Sequence, residues 1–309
     1  MFDNNFQYRR KSTGDYLHDI FLGKNILSRL ILINTVILIL ANITSLIAWL
    51  STGHMPQLSP LGTLMALPSS LSALATKPWT PFTYMFLHDA FFHWFFNMLV
   101  LYFAGLLFME YLSQRKLLIT YIIGGLIGAG FFVLAFNIFP AFAGVRSISV
   151  ALGASASILA ILVAISTYVP DYNVHLFLIG RVKLKYIAIV LVVLDIISIQ
   201  SSDPGGHIAH LGGALWGFIY GFSLRKGTDF YHIFDNWKMP ELSFKRRKYK
   251  KFSTIRPKSG RPMTDEEYNK NRAATQEEID KILEKISKSG YSSLTKAEKD
   301  FLFKSSNKK

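Results

Sequence analysis

Six predominantly apolar runs, most of them near the twenty residues that a helix needs to cross a bilayer, constrain this chain more than any other feature. They cover about 29–50, 85–109, 117–140, 150–169, 184–199 and 207–223. The expected fold is therefore an all-α membrane protein, a bundle of six transmembrane helices with both termini on one side. The fifth run is the shortest, and it contains Asp195, a cost in lipid unless that side faces the bundle.

Half of the 309 residues are hydrophobic and 17% are charged, yet the net charge is +14. Apolar and basic residues must then be segregated, and from Arg225 onward there are 22 Lys and Arg against 12 Asp and Glu. Arg9, Arg10, Lys11, Lys24, Arg115, Lys116, Arg181, Lys183, Lys185 and the tail fall on one side of a six-helix layout; the opposite loops carry Lys77 and Arg146. The positive-inside bias thus predicts cytoplasmic termini. The first 28 residues are polar, so no cleavable signal peptide is expected and the first run serves as anchor. The segment 51–84, with Met65, Leu67, Leu71, Leu74 and Trp79 broken by prolines, suits a structure lying in the membrane interface; a plain loop is the alternative.

The absence of cysteine excludes disulfides, a thiol nucleophile and Cys-based metal sites. No phosphate loop or zinc-protease helix motif is present, and no cofactor is expected. What remains is a set of polar side chains at membrane depth, each a functional candidate. His93 and Asn97 are four apart, on one face of a Phe- and Leu-rich helix. They could donate to a developing oxyanion or simply bond a neighbouring helix. Ser155, in Gly153-Ala154-Ser155-Ala156-Ser157, becomes a nucleophile candidate only with a base in reach; otherwise the small residues serve close packing.

The sixth run offers that base. His210, Gly213 and Gly217 share one helical face, and Gly213, Gly217 and Gly221 repeat every fourth residue along it. Such a helix can press against the one carrying Gly153 and bring imidazole to hydroxyl. His207, one turn earlier, is the second-ranked base. Asp195 reads as a buried carboxyl bonded to a neighbouring helix, with a gate or substrate contact as the alternative.

These residues, in this order, make the chain resemble the rhomboid intramembrane serine proteases. Trp79, Thr83 and His88 match that family's first loop; His93 and Asn97 its second helix; Gly153 and Ser155 its Gly-x-Ser; and Ala209, His210, Gly213 and Gly217 its sixth helix. The resemblance covers about residues 30–225. It implies Ser155 as nucleophile, His210 as general base, and His93, Asn97 and the Ser155 amide as oxyanion stabilisers. The reaction it implies is peptide hydrolysis in or near transmembrane segments of membrane proteins by a Ser-His dyad without an acidic member, the imidazole being oriented by helix packing. The alternative is a catalytically silent relative that binds membrane clients. Three positions depart from the family pattern: Thr80 stands where Arg often follows the loop Trp, Ala156 where Gly is common, and Leu159 where some members place an aromatic ring.

The expected division is a cytoplasmic segment 1–28, a membrane domain 29–225, a basic linker 226–275 and a small helical hairpin 276–309. In the hairpin, Ile279, Ile282, Leu283 and Ile286 have helical spacing, Gly290 is a stop, and Ser293 or Thr295 a cap. The basic run 245–251 is expected to meet anionic lipid; nucleic acid is not an expected partner, since no recognition fold accompanies the run. Expected partners are transmembrane protein substrates and the bilayer, and the expected location is a bacterial cytoplasmic membrane.

Overall fold

The computed structural model describes residues 20–23, 25–176, 180–200, 203–234 and 265–306. Helix α1 (Ile26–Thr52) starts where the Asn25 side chain accepts from the Ser28 amide, and it stops at Gly53, whose φ of 72° breaks helical geometry. Four small elements follow: α2 (Pro60–Met65), β1 (Leu67–Pro68), α3 (Leu71–Thr76) and α4 (Thr80–Thr83). The segment after the first run is therefore ordered structure rather than a plain loop. Then come α5 (Phe91–Tyr111), α6 (Gln114–Ile138), β2 (Val150–Ala151), α7 (Ser155–Tyr168), the hairpin β3 (Asn173–Leu176) and β4 (Gly180–Lys183), α8 (Leu184–Ser198) and α9 (Pro204–Arg225).

Both ends of the bundle are tied by named contacts. At one end the Ile26 amide donates to Gln114 Oε1 (3.1 Å), Tyr111 meets Tyr172 edge to face, and Lys116 pairs with Asp229. At the other, β1 pairs antiparallel with β2 (Leu67 opposite Ala151), Ser69 Oγ donates to the Arg146 carbonyl (2.5 Å), and Asn137 Nδ2 donates to the Ser69 carbonyl (2.7 Å). Successive long helices therefore alternate in direction.

Helix α7 is the axis of the packing: every residue from Ala156 to Ser166 is buried. Glycines make this possible. A Cβ at Gly213, Gly217 or Gly221 of α9 would collide with the carbonyl oxygen of Ala156, Ala160 or Ala164, respectively. Backbones at such distance exclude any side chain, the small-residue contact expected from the four-residue spacing. The outer helices invert the usual pattern. Ile39, Leu46, Ile47 and Leu50 of α1, Phe91, Phe92, Phe96 and Phe103 of α5, and Ile189, Val190, Ile196 and Ile197 of α8 all face outward. An apolar belt of this extent is stable against lipid and not against water, as befits an integral membrane protein.

Among the described residues, only α1, α5 and α6 are both long and apolar enough to cross a bilayer by length and composition. Helices α7 and α8 have 14 and 15 residues, and α9 is diluted by two histidines and a series of glycines. The expected six crossings thus stand as three clear spans and three helices that fall short of that requirement. Two helix starts also differ from expectation by more than one turn. The second run begins as α5 at Phe91, not near residue 85, because Tyr84, Met85 and Phe86 form a separate buried turn and Leu87 and Ala90 are extended. The fourth begins at Ser155, not residue 150, because Val150 and Ala151 pair with β1 and Gly153 has φ 122°.

The membrane domain also continues past Arg225. Tyr231 is 2% exposed and stacks on Tyr220, its hydroxyl accepting from Trp216 Nε1 (2.9 Å), and Asp229 holds Lys116. Burial alone would raise the Asp229 carboxyl; the hydrogen bond from Lys116, the Tyr231 amide and the Tyr220 hydroxyl outweigh it and hold the group below the usual carboxylate range. The expected boundary at 225 moves outward accordingly.

The second unit is a pair of helices, α10 (Asp265–Ser289) and α11 (Lys296–Ser306). Helix α10 begins well before the expected hairpin start, so residues 265–275 are helix, not linker. Gly290, with φ 76°, follows it. Thr295 caps α11 reciprocally: its amide donates to Glu298 Oε2 (2.7 Å) and its hydroxyl accepts from the Glu298 amide (3.4 Å). Ile282 and Leu294 are buried, and Lys285 pairs with Glu298 at 2.9 Å. The basic run 245–251 and residues 1–19 lie outside the described residues.

Candidate active site

The chain before Ser155 is fixed from three sides. The Tyr84 hydroxyl donates to the Gly125 carbonyl of α6 (2.6 Å), and the Tyr84 carbonyl accepts the Gly153 amide (3.0 Å). The β1–β2 pair holds Ala151. Gly153 then turns with φ 122°, and a Cβ there would stand 3.0 Å from His93 Nε2 and Cε1. Gly153 is thus required twice: by its backbone conformation and by the ring pressed against it.

Ser155 is the first residue of α7, so the amides of this first turn have no carbonyl partner within the helix. They carry the positive end of its dipole. On the facing helix His210 directs Nε2 at Ser155 Oγ, 2.5 Å away. The glycine contacts between α9 and α7 make that distance possible. Ser157 is turned away. It is buried against α6, its hydroxyl 3.9 Å from Met85 Sδ.

His210 is not held by packing alone, which corrects the expectation of a dyad without an acidic member. Its Nδ1 lies 2.8 Å from Asp195 Oδ1 of α8. With Nδ1–H donated to the carboxylate, the lone pair of the neutral ring sits on Nε2, facing the serine. Asp195 is thus a buried carboxyl bonded to a neighbouring helix, as expected, and its partner there is the imidazole beside Ser155. His207 reaches the same oxygen, also at 2.8 Å, but contacts Asp195 instead of the serine. No local sequence signal joins α8 to α9, since the relative rotation of two helices does not show in either one's periodicity.

Just before α5 a second carboxylate backs a second imidazole, which stands in the first turn of that helix. His93 Nδ1 lies 3.1 Å from Asp89 Oδ1, four residues earlier, and this hydrogen bond holds the Asp89 carboxyl below the usual carboxylate range. Here the four-residue spacing was a usable signal. The opposite edge of the His93 ring, Nε2, borders Gly153. Asn97 Nδ2 donates to the His93 carbonyl at 2.9 Å; an amide carries two N–H groups, and this bond takes one. His93, Asn97, Ser155 and His210 all line one cleft of 480 Å³, with Leu159 and Leu162 among its apolar walls. The structure thus brings together all four expected residues.

The first loop is anchored although Thr80 replaces the family's arginine. Trp79 Nε1 donates to the Leu64 carbonyl (2.8 Å), Lys77 Nζ to the Thr63 carbonyl (2.7 Å), Thr83 Oγ1 to the Met65 carbonyl (3.0 Å), and Thr80 Oγ1 to the Lys77 carbonyl (2.8 Å).

Fold and site together define a helical membrane protein with a hydrogen-bonded serine and histidine sunk among its helices. Residues 75–227 match the Rhomboid domain, and the chain belongs to the rhomboid family. Residues 263–308 match a family of unknown function (DUF6576), a span that covers both helices of the second unit. A comparison with curated proteins gave no match.

Proposed function

We propose that this chain is an intramembrane serine endopeptidase that cleaves transmembrane proteins in or near their membrane segments. The observation that carries the reading is the 2.5 Å contact between His210 Nε2 and Ser155 Oγ, with Asp195 behind the imidazole. A catalytically silent client-binding relative has no need of that geometry. In the reaction His210 takes the Ser155 proton as Oγ attacks the scissile carbonyl, and Asp195 stabilises the imidazolium that forms. The oxyanion meets the Ser155 amide at the α7 terminus, with His93 and Asn97 as further donors; each such donor contributes about 3 kcal/mol. His210 then passes its proton to the leaving amine. Water attacks the acyl-enzyme with His210 again acting as base, which restores Ser155.

The apolar walls of the cleft suit a segment that leaves lipid, and such a segment must first unwind, since a helix hides its carbonyls in hydrogen bonds. We further propose cytoplasmic termini, from the distribution of Lys and Arg, and contact of the run 245–251 with anionic lipid. The test is cleavage of a single-span substrate by the purified full chain in detergent. Ser155→Ala should abolish it and Ser157→Ala should retain it; equal cleavage by wild type and Ser155→Ala contradicts the assignment.

A further inference from the structure

The reaction above uses one imidazole of a cluster that contains two. His207 and His210, three residues apart on α9, both direct Nδ1 at the same oxygen of Asp195, each at 2.8 Å. One ligand atom from each of the three side chains lies within 4.8 Å of those of the other two. Two imidazole nitrogens on one helical face and a carboxylate oxygen from the adjacent helix form a donor set suited to borderline divalent cations such as zinc. Both histidine side chains are about a quarter exposed, and both line the cleft that holds Ser155, so the site is reachable and has room for a further ligand. Around tetrahedral zinc, ligand atoms stand roughly 3.3 Å apart, so a cation here needs each imidazole–carboxylate contact, now 2.8 Å, to lengthen slightly and the two imidazole nitrogens to take up the same spacing from each other.

We propose that Asp195, His207 and His210 form an inhibitory site for a zinc-like divalent cation, a regulation that rests on His210 being the base of the protease. The inhibition follows from the tautomer. With Asp195 accepting Nδ1–H, the Nε2 lone pair faces Ser155. A cation on Nδ1 needs the lone pair of that nitrogen, and the neutral ring then carries its proton on Nε2. The ring now directs an N–H at Ser155 Oγ and cannot take the serine proton. Binding switches the base off without displacing either helix, and removal of the cation restores it. His207, which contacts no reacting atom, gains a purpose as the ligand that makes the site three-coordinate.

Binding and inhibition are read separately on the full chain in detergent. First, Co²⁺ is titrated into Ser155→Ala protein and followed by its visible absorption, with Zn²⁺ as competitor. One Co²⁺ per chain, displaced by Zn²⁺ and weakened at least about 10-fold by adding His207→Gln or Asp195→Asn, is the expected result. No binding, or equal binding by those variants, overturns the site. Second, wild-type protein is labelled with a fluorophosphonate in EDTA and in Zn²⁺. Zinc should slow labelling at least about 10-fold, EDTA should reverse this, and in His207→Gln the ratio of the two rates should approach one. Cation binding with unchanged labelling overturns the inhibition. Ligand-dependent binding to a chain that never labels refutes the protease reading, and with it the inhibition, while leaving the binding site in place.

Discussion

At the scale of single residues, two imidazoles line the cleft beside Ser155 and each is backed by a carboxylate. Asp195 stands behind His210 and Asp89 behind His93. For the first pair the consequence is measurable. Asp195→Asn can donate to Nδ1 and so favours the tautomer whose Nε2 carries the proton, which cannot serve as base. The expected outcome is a drop of about 100-fold in kcat with little change in KM, measured on a soluble or detergent-solubilised substrate. A change confined to KM would mean that Asp195 contacts substrate instead. The pairing of Ser155 with His210 was legible in the sequence because Gly153 and the glycines beyond His210 announced two helices built for contact. Asp195 was visible but unpaired, since its partner sits on another helix. Asp89 could have been found from its spacing to His93.

At the scale of elements, the site depends on how closely α7 and α9 approach. Ala156, Ala160 and Ala164 meet Gly213, Gly217 and Gly221 with no side chain between them, and the serine and histidine sit at the top of this seam. Gly217→Ala places a methyl against the Ala160 carbonyl, a rigid neighbour. The cost should be about 1–3 kcal/mol, seen as a lower thermal midpoint, with weaker active-site labelling because the helices are pushed apart beneath Ser155 and His210. Unchanged stability and labelling would show that the seam can relax. This contact was readable from the four-residue glycine spacing. The ends of the elements were not. Residues 85–90 continue an apolar run yet leave the helix, because Tyr84 and Met85 are used to lock α6 and Gly153. Helix α10 starts early, where Thr264-Asp265-Glu266-Glu267 offered a capping-box signature that the polar composition masked.

At the scale of the whole molecule, Ser155 and His210 lie within the Rhomboid domain, while the second unit matches a family of its own. A chain cut before the second unit should therefore keep proteolysis, provided that the cut falls in the right place. Ending after residue 234 preserves Asp229 and Tyr231. Ending at Lys226 removes the ion pair to Lys116 and the ring stacked on Tyr220, and should cost about 3 kcal/mol in thermal unfolding. Equal stability of the two truncations would show that the segment after α9 is not part of the membrane domain. The charge segregation that separates apolar core from basic tail was plain in the sequence, whereas this latch was not, being a few polar and aromatic residues just past the last apolar run.

The central claim is that Ser155 is a nucleophile activated by His210, and covalent labelling tests it without reference to any substrate. Purified full-length protein is treated with a fluorophosphonate and the adduct is located by mass spectrometry of peptides, in wild type and in His210→Ala. One adduct is expected, on Ser155 and not on Ser157, and it is lost in His210→Ala. An adduct on Ser157, or labelling of Ser155 at the wild-type rate without His210, would contradict it.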